Sequence, residues 1–434
     1  MKTSIRVFLN KYDKVYCYGV GKSGRDFKNY CRNKKIWRQV DGCLISSTPS
    51  HNQTFAGKPV LSVSNANLTE NVGVVIAMYK PEYISEVLQT LKNMGCNNYY
   101  VLAHDKNYIR WMQKRFYKEC KLRKNKSIFD YKALAHKIEY PSLFDGNGAV
   151  LYYGIFKYIK KFVKNYNYDI KKCSVDEGIR TNESILLAQD KLNPKDKNVF
   201  SNNRLAWRNQ NELNVHSMKP YIMYAKSIYS MCKLSSLKKK FGKTLLVMPM
   251  HDFKVLNVEC SISNLIDEIE RIRVEYQYKT VIVCLYCNDI KTGEDVPYKK
   301  MGYKIVTAGY ITDMFFLWRL RAIMALSDVV FMNSMGSQLF YALSLNIPVY
   351  IYRQKIVIHG LKDEYKTVLR DTFNEDAYNS TMGKMKKEDD EIMSKFDAYQ
   401  EYISSEQYEV LKTHCASWEY RAARDVEMLK KVLV

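Results

Sequence analysis

The sequence predicts an α/β chain carrying two doubly wound parallel sheets, with a helical middle region between them and a helical tail. Three observations predict it. Short apolar, β-branched runs alternate with amphipathic stretches in the first hundred residues and again over 243–352. A glycine turn, Gly19-Val20-Gly21-Lys22-Ser23-Gly24, separates the first such run from the first helical stretch. The run "DVVFMNSMGSQLFYALSLNIPVYIY" (328–352) passes from strand to small polar loop, to helix, to a proline-started strand.

The elements follow in order. "KVYCYGV" (14–20) reads as a buried strand, "RDFKNYCRNKK" (25–35) as the helix after the turn, and "VDGCLISS" (40–47) as the second strand. "FAGKPVLSV" (55–63) leads to a strand at "VGVVIAMY", a helix at "PEYISEVLQTLKNMG" with a glycine stop, and a strand at "NNYYVL". Residues 1–105 thus make a first Rossmann-like domain. Residues 106–126 hold nine basic residues against one acid, at a spacing that suits a basic amphipathic helix with Ile109, Met112 and Phe116 on one side. The region 106–240 reads as mostly helical ("GAVLYYGIFKYIKKFVKNY", "KPYIMYAKSIYSMCKL"), with one short strand-like piece at "KKCSVDEG".

Residues 241–360 make the second Rossmann-like domain. Its strands are "KTLLVMP", "KTVIVCLY", "YKIVTA", "DVVFMN" and "PVYIY". Its helices include 261–276, capped by Ser261 or Ser263, and 312–326, capped by Thr312 or Asp313. Residues 361–434 are charged and mostly helical.

Composition narrows the classes. The chain has 434 residues, is almost half apolar and carries a formal charge of +23, so it is globular and attracts anions. Lysine, asparagine and tyrosine are frequent throughout, as an AT-rich genome would give, so charge alone names no partner. Eleven cysteines occur singly, without CxxC spacing, which points to reduced cytoplasmic thiols rather than a zinc site or a disulfide framework. The N-terminus lacks the apolar core and cleavage site of a signal peptide, and no apolar run approaches a membrane span.

Candidate chemistry gathers at strand ends. Asn333, Ser334, Gly336 and Ser337 open a helix at the carboxyl end of a strand, where free N–H groups, hydroxyls and the helix dipole suit a phosphate. Plain N-capping by Ser334 or Ser337 explains the same residues equally well. His251 follows the first strand of the same sheet and could protonate a leaving phosphate. Arg319 and Arg321, on the helix before the serine loop, could neutralise donor phosphates or simply face solvent. Asp176 and Glu177, before Gly178, offer a general base or a turn. Gly19, Gly21 and Gly24 suggest a dinucleotide turn, but the second strand ends in Ser46-Ser47 where a ribose-binding acid is expected, and Asp41 precedes it. The basic stretches at 106–126 and 157–172 fit nucleic acid, a membrane surface or a solvated lysine-rich face.

Residues 243–352, through "LLVMPMH", "IVTAGY", "LWRLRAIMALSD" and "NSMGSQLFYALSLNIPVYIY", resemble bacterial capsule and lipopolysaccharide glycosyltransferases of the GT-B type. The resemblance implies two Rossmann-like domains across a cleft, metal-independent sugar transfer from a nucleotide donor with no cofactor, and donor phosphates held at Asn333, Ser334, Gly336 and Ser337. Asp176-Glu177-Gly178 is similar to the acidic motif of bacterial sialyltransferases, where a carboxylate is the base and a His-Pro pair binds the donor. This chain has His251-Asp252 there, which leaves CMP- and UDP-sugars both open. Residues 14–102, through the GxGxxG and "FAGKPVLSV", resemble the N-terminal domain of sugar-modifying acyltransferases. The expected partners are a nucleotide-sugar donor, an oligosaccharide or lipid-linked acceptor and the anionic inner face of the cytoplasmic membrane, with no nucleic acid. Two rivals stand beside this reading: an NAD-dependent enzyme acting on nucleotide sugars through Gly21, and a basic nucleic-acid-binding protein.

Overall fold

A computed structural model describes residues 4–79, 81–138, 153–155, 173–175, 179, 198–201, 214–217, 219–250, 256–355, 357–361 and 387–415. The chain divides into two compact units, 1–118 with 140–146, and 119–139 with 147–434. Four segments were expected from the sequence, and they gather into these two units. Described residues of the middle region, among them Ile128, Ile155, Ile179 and Tyr221, are buried in the same core as the second sheet rather than in a domain of their own.

The first unit opens with α1 (Ile5–Leu9), β1 (Lys14–Tyr18) and α2 (Lys22–Asn33). It continues through β2 (Gly42–Ile45), β3 (Thr54–Phe55), β4 (Lys58–Ser62), β5 (Val72–Ile76), α3 (Pro81–Asn93), β6 (Tyr99–Val101) and α4 (Lys106–Lys124), whose last residues belong to the second unit. The sheet order is β3-β4-β2-β1-β5-β6, parallel throughout except for the β3–β4 hairpin. Without β3, the strands lie in the order third, second, first, fourth, fifth, which is the Rossmann arrangement. Side chains alternate across the sheet as a pleat requires. Val15, Cys17, Cys43 and Val75 pack under α2 and α4, while Tyr18, Leu44, Val74 and Ile76 pack under α3. Helix α4 buries Tyr108, Met112, Phe116 and Cys120, so Ile109 is only flanking.

The second unit contains α5 (Tyr131–Leu134) and a small parallel sheet of β7 (Cys173–Val175), β8 (Asn198–Ser201) and β9 (Asn214–Ser217). Only β7 was expected; β8 and β9 were not foreseen in a region read as mostly helical. Both missed strands are four residues long and polar at their ends ("NVFS", "NVHS"), too short for a period to declare itself. Next come α6 (Met231–Phe241), β10 (Thr244–Met248), β11 (Leu256–Glu259), α7 (Ile262–Glu275), β12 (Thr280–Cys284), α8 (Cys287–Thr292), α9 (Asp295–Lys300) and β13 (Lys304–Val306). Then follow α10 (Phe316–Met324), β14 (Val329–Met332), α11 (Ser337–Ser344), β15 (Val349–Ile351) and β16 (Val357–Leu361). Within its described residues, the tail holds helices at 387–393 and Ser405–His414.

The large sheet runs β13-β12-β10-β14-β15, all parallel, again in Rossmann order. Every residue of β10, β14 and β15 is buried, as expected of strands covered on both faces, and each fully buried Leu or Val side chain contributes about 1.5–3 kcal/mol. An antiparallel pair, β11 with β16, was not foreseen. Ser261 caps α7 as expected, accepting from the Asn264 N–H at 3.2 Å. The 312–326 helix differs: it starts at Phe316, because Asp313 accepts from Phe315 N–H and pairs with Arg319, while Thr312 donates to the Ile138 carbonyl.

Among the described residues, no helix is long and apolar enough to cross a membrane.

Candidate functional site

In a sheet of this order, the connections after β10 and β14 leave toward opposite edges, and a crevice opens at the carboxyl ends of these two strands. The strands are in register there, Met248 opposite Met332. Asn333 is the first residue past β14. It is 2% exposed, and its amide is used at both ends. Oδ1 accepts from the Met250 N–H at 2.7 Å, and Nδ2 donates to Gln354 Oε1 at 2.9 Å. Gln354 in turn donates to the carbonyl of Ser261, the cap of α7. One amide pair therefore ties the ends of β10 and β14 to the segment after β15 and the start of α7. The Asn333 side chain, expected at the donor phosphates, is engaged at both ends of its amide in setting the crevice's shape.

The serine loop answers the capping question. The cap position of α11 is Gly336, with φ −177°, and no side chain caps the helix. Neither Ser334 nor Ser337 does so. Ser337 is the first helical residue, and its Oγ accepts from the Ile179 N–H at 3.0 Å. A Cβ on Gly336 would meet the Gln338 side chain at 2.4 Å, so that amide lies folded across the glycine. Ser334, Gly336, Ser337 and Gln338 are all half-buried. The loop offers hydroxyls, an amide and uncapped helix N–H groups at the mouth of the crevice, a set suited to an anion.

The other candidates fall as follows. Asp176, Glu177 and His251 lie outside the described residues. Their described neighbours are informative: β7 ends at Val175, Ile179 is bonded to Ser337, and Met250 is bonded to Asn333. Arg319 is corrected from donor ligand to core residue. It is fully buried, donates from Nε to the Ala308 carbonyl at 2.8 Å and is ion-paired with buried Asp313. Burial pulls its pKa below the ordinary arginine value, and the Asp313 carboxylate works against that. Arg321 donates to the Ile222 carbonyl at 2.9 Å and so holds the turn at Tyr221–Tyr224. Sequence reasoning missed Gln354 and Ile179. Gln354 was within reach, since it follows β15 at the same carboxyl edge that singled out the serine loop.

The glycine turn of the first unit occupies the corresponding crevice between β1 and β5. Gly19 has φ +110°, which a side chain would resist. Gly24 packs so closely that a Cβ would lie 2.1 Å from the Gly19 carbonyl oxygen. Above Gly21 there is open space. Asp41 bonds the Val15 N–H at the amino end of the sheet, away from any ribose position, and Ser46 bonds the Tyr18 hydroxyl.

No protein-family model matches the chain, and no curated protein matches it. Two solved structures resemble it over most of its length. One is a variant of the wall teichoic acid polymerase TagF soaked with CDPG: 11% identity, 98% of this chain and 90% of that one, TM-score 0.29. The other is UDP-GlcNAc 2-epimerase from Neisseria meningitidis bound to UDP-GlcNAc: 12% identity, 96% of this chain and 98% of that one, TM-score 0.31. At TM-scores near 0.3, neither likeness bears on what this chain does.

Proposed function

We propose that the chain is a glycosyltransferase that moves a sugar from a CMP- or UDP-sugar to a capsule or lipopolysaccharide acceptor, working in the cytoplasm at the inner membrane face. One observation carries the reading. Met250, which precedes His251 in sequence, is bonded to Asn333, and Ile179, which follows Asp176-Glu177-Gly178 in sequence, is bonded to Ser337, which supports the reading.

In this reading Ser334, Ser337 and the N–H groups at Gly336 hold the donor phosphates. Asp176 or Glu177 takes the proton of the acceptor hydroxyl as its oxygen bonds to the anomeric carbon. The bond from that carbon to the phosphate oxygen breaks, leaving its electron pair on the phosphate. His251 hydrogen-bonds or protonates that oxygen, and stabilising its developing charge is the larger contribution. No cofactor is called for.

The test is transfer from CMP- and UDP-sugars by wild type, Ser334→Ala, His251→Ala and Glu177→Gln, with melting curves beside each. Folded variants with wild-type turnover would remove the assignment. An NAD-dependent reading retains the turn geometry at Gly19, Gly21 and Gly24 but lacks the acid after β2. NAD alone raising the melting temperature, lost on substituting Gly21, would favour it.

A further inference from the structure

We propose that the face of the first unit formed by α2 and α4 docks on an anionic lipid bilayer. The proposal names the surface by which the chain meets a membrane and is independent of which reaction it performs. Both helices lie on one side of the first sheet and share its core through Phe27, Tyr30, Tyr108 and Met112. They are joined by the Tyr30–Trp111 edge contact at 5.3 Å and the Arg115–Asp26 ion pair at 3.2 Å.

Their outward faces are basic. On α4, Lys106, Arg110, Lys114 and Lys118 recur every fourth residue and are all exposed, a stripe about 18 Å long at 1.5 Å per residue. Beside it α2 exposes Arg25 and Arg32. Acids do not offset them. Residues 106–118 contain none, and the one acid of α2, Asp26, is buried and already paired with Arg115. A uniform lysine bias would load both sides of the sheet equally. It does not: on α3, on the other side, the exposed Glu86 offsets the exposed Lys92.

The side chains of this face favour a bilayer over a nucleic acid. Two helices packed side by side hold their axes about 8–10 Å apart, so their basic residues form one continuous patch. Single-stranded nucleic acid is held by exposed aromatic rings on which bases stack. Here Tyr30 and Tyr108 are 3% and 0% exposed and turned into the core, and Trp111 and Tyr117 are half-buried, Trp111 edge-on to Tyr30 with the Arg115 guanidinium 5.8 Å from its ring centre. The exposed side chains of α2 and of 106–118 are all Lys, Arg or Asn, which suits a plane of lipid phosphates.

The experiment is sedimentation of the full chain with vesicles of phosphatidylcholine, with and without 30 mol% phosphatidylglycerol (roughly physiological charge), at 0.15 M salt (Debye length about 8 Å). We expect pelleting only with the anionic vesicles. Each cation contributes about fivefold in partition, so Arg110→Glu, Lys114→Glu and Lys118→Glu together should lower it at least about hundredfold. A control with the same charge change on α6 of the second unit, Lys233→Glu, Lys239→Glu and Lys240→Glu, should stay within about threefold, because the proposal puts binding on the α2–α4 face and not on net charge. If the first triple variant melts early, the glutamine version replaces it. The proposal is overturned by equal losses in both variants, by equal pelleting with neutral vesicles, by no pelleting at all, or by a short RNA displacing the protein at equal phosphate.

Discussion

Removing the Asn333 side chain should cost stability through one stranded donor and one stranded acceptor. In Asn333→Ala the Met250 N–H loses its 2.7 Å partner and Gln354 Oε1 loses its 2.9 Å partner. A donor stranded in a buried site costs about 1–3 kcal/mol, and the Met250 end lies at the lower end of that range because it is half-buried. Gln354, also half-buried, can turn to water and adds about 0.5–1 kcal/mol. The expected loss is about 2 kcal/mol. Asn333→Asp tests the chemistry rather than the volume. Its carboxylate still accepts from Met250, but its second oxygen now faces Gln354 Oε1. If Gln354 flips to donate there, its own oxygen faces the Ser261 carbonyl instead. The conflict moves along the relay without being relieved, so the aspartate variant should also be destabilised, by more than about 1 kcal/mol. Urea unfolding followed in the second unit's transition measures both. An alanine variant within about 0.5 kcal/mol of wild type would refute the stapling role, because surface changes fall in that range.

Three further outcomes follow. Gly24→Ala places a Cβ against the Gly19 backbone, which cannot yield, and should cost at least about 3 kcal/mol, whereas Gly21→Ala meets nothing and should stay within about 0.5 kcal/mol; melting of the first unit separates them. Arg319→Met leaves the Asp313 carboxylate buried and unpaired and should cost about 3–5 kcal/mol, largely recovered when Asp313→Leu is added; the double-mutant cycle reads the coupling. Burial holds the pKa of His414 below its ordinary value, with Lys395 pushing the same way, and its Nδ1 is buried without a partner. The unfolded chain therefore takes up that proton first. The contribution of neutral His414 is present above about pH 6.5 and is lost as pH falls through and below it, so His414→Gln should flatten the fall in stability between about pH 7 and 5.

Some features of this site were legible in the sequence and others were not. The strand "DVVFMN" and the helix after it are visible because a strand buried on both faces is a continuous apolar run and the small polar loop interrupts it. The role of Asn333 was not visible. An amide at a strand end can face a ligand or its own backbone, and the choice depends on whether Met250 and Gln354 arrive within about 3 Å of it. Arg319 was misread for a related reason. Helical spacing alone does not say that the 307–315 loop folds over that face and supplies Asp313 and the Ala308 carbonyl. The strands β8 and β9 were missed because four polar-ended residues carry no period, and only their neighbours make them a sheet.

The sequence by itself determined the alternation of strands and helices in both units, the glycine turn, and the serine loop, since each follows from local apolar period and from residues whose backbone freedom is unusual. The tertiary structure decided which strands are neighbours, and so which two loops face each other across a crevice. It also decided which polar groups are spent on the protein's own backbone and which stay free for a ligand. Strand order and hydrogen-bond partnership join residues tens or hundreds of positions apart, and no local pattern encodes such a distance.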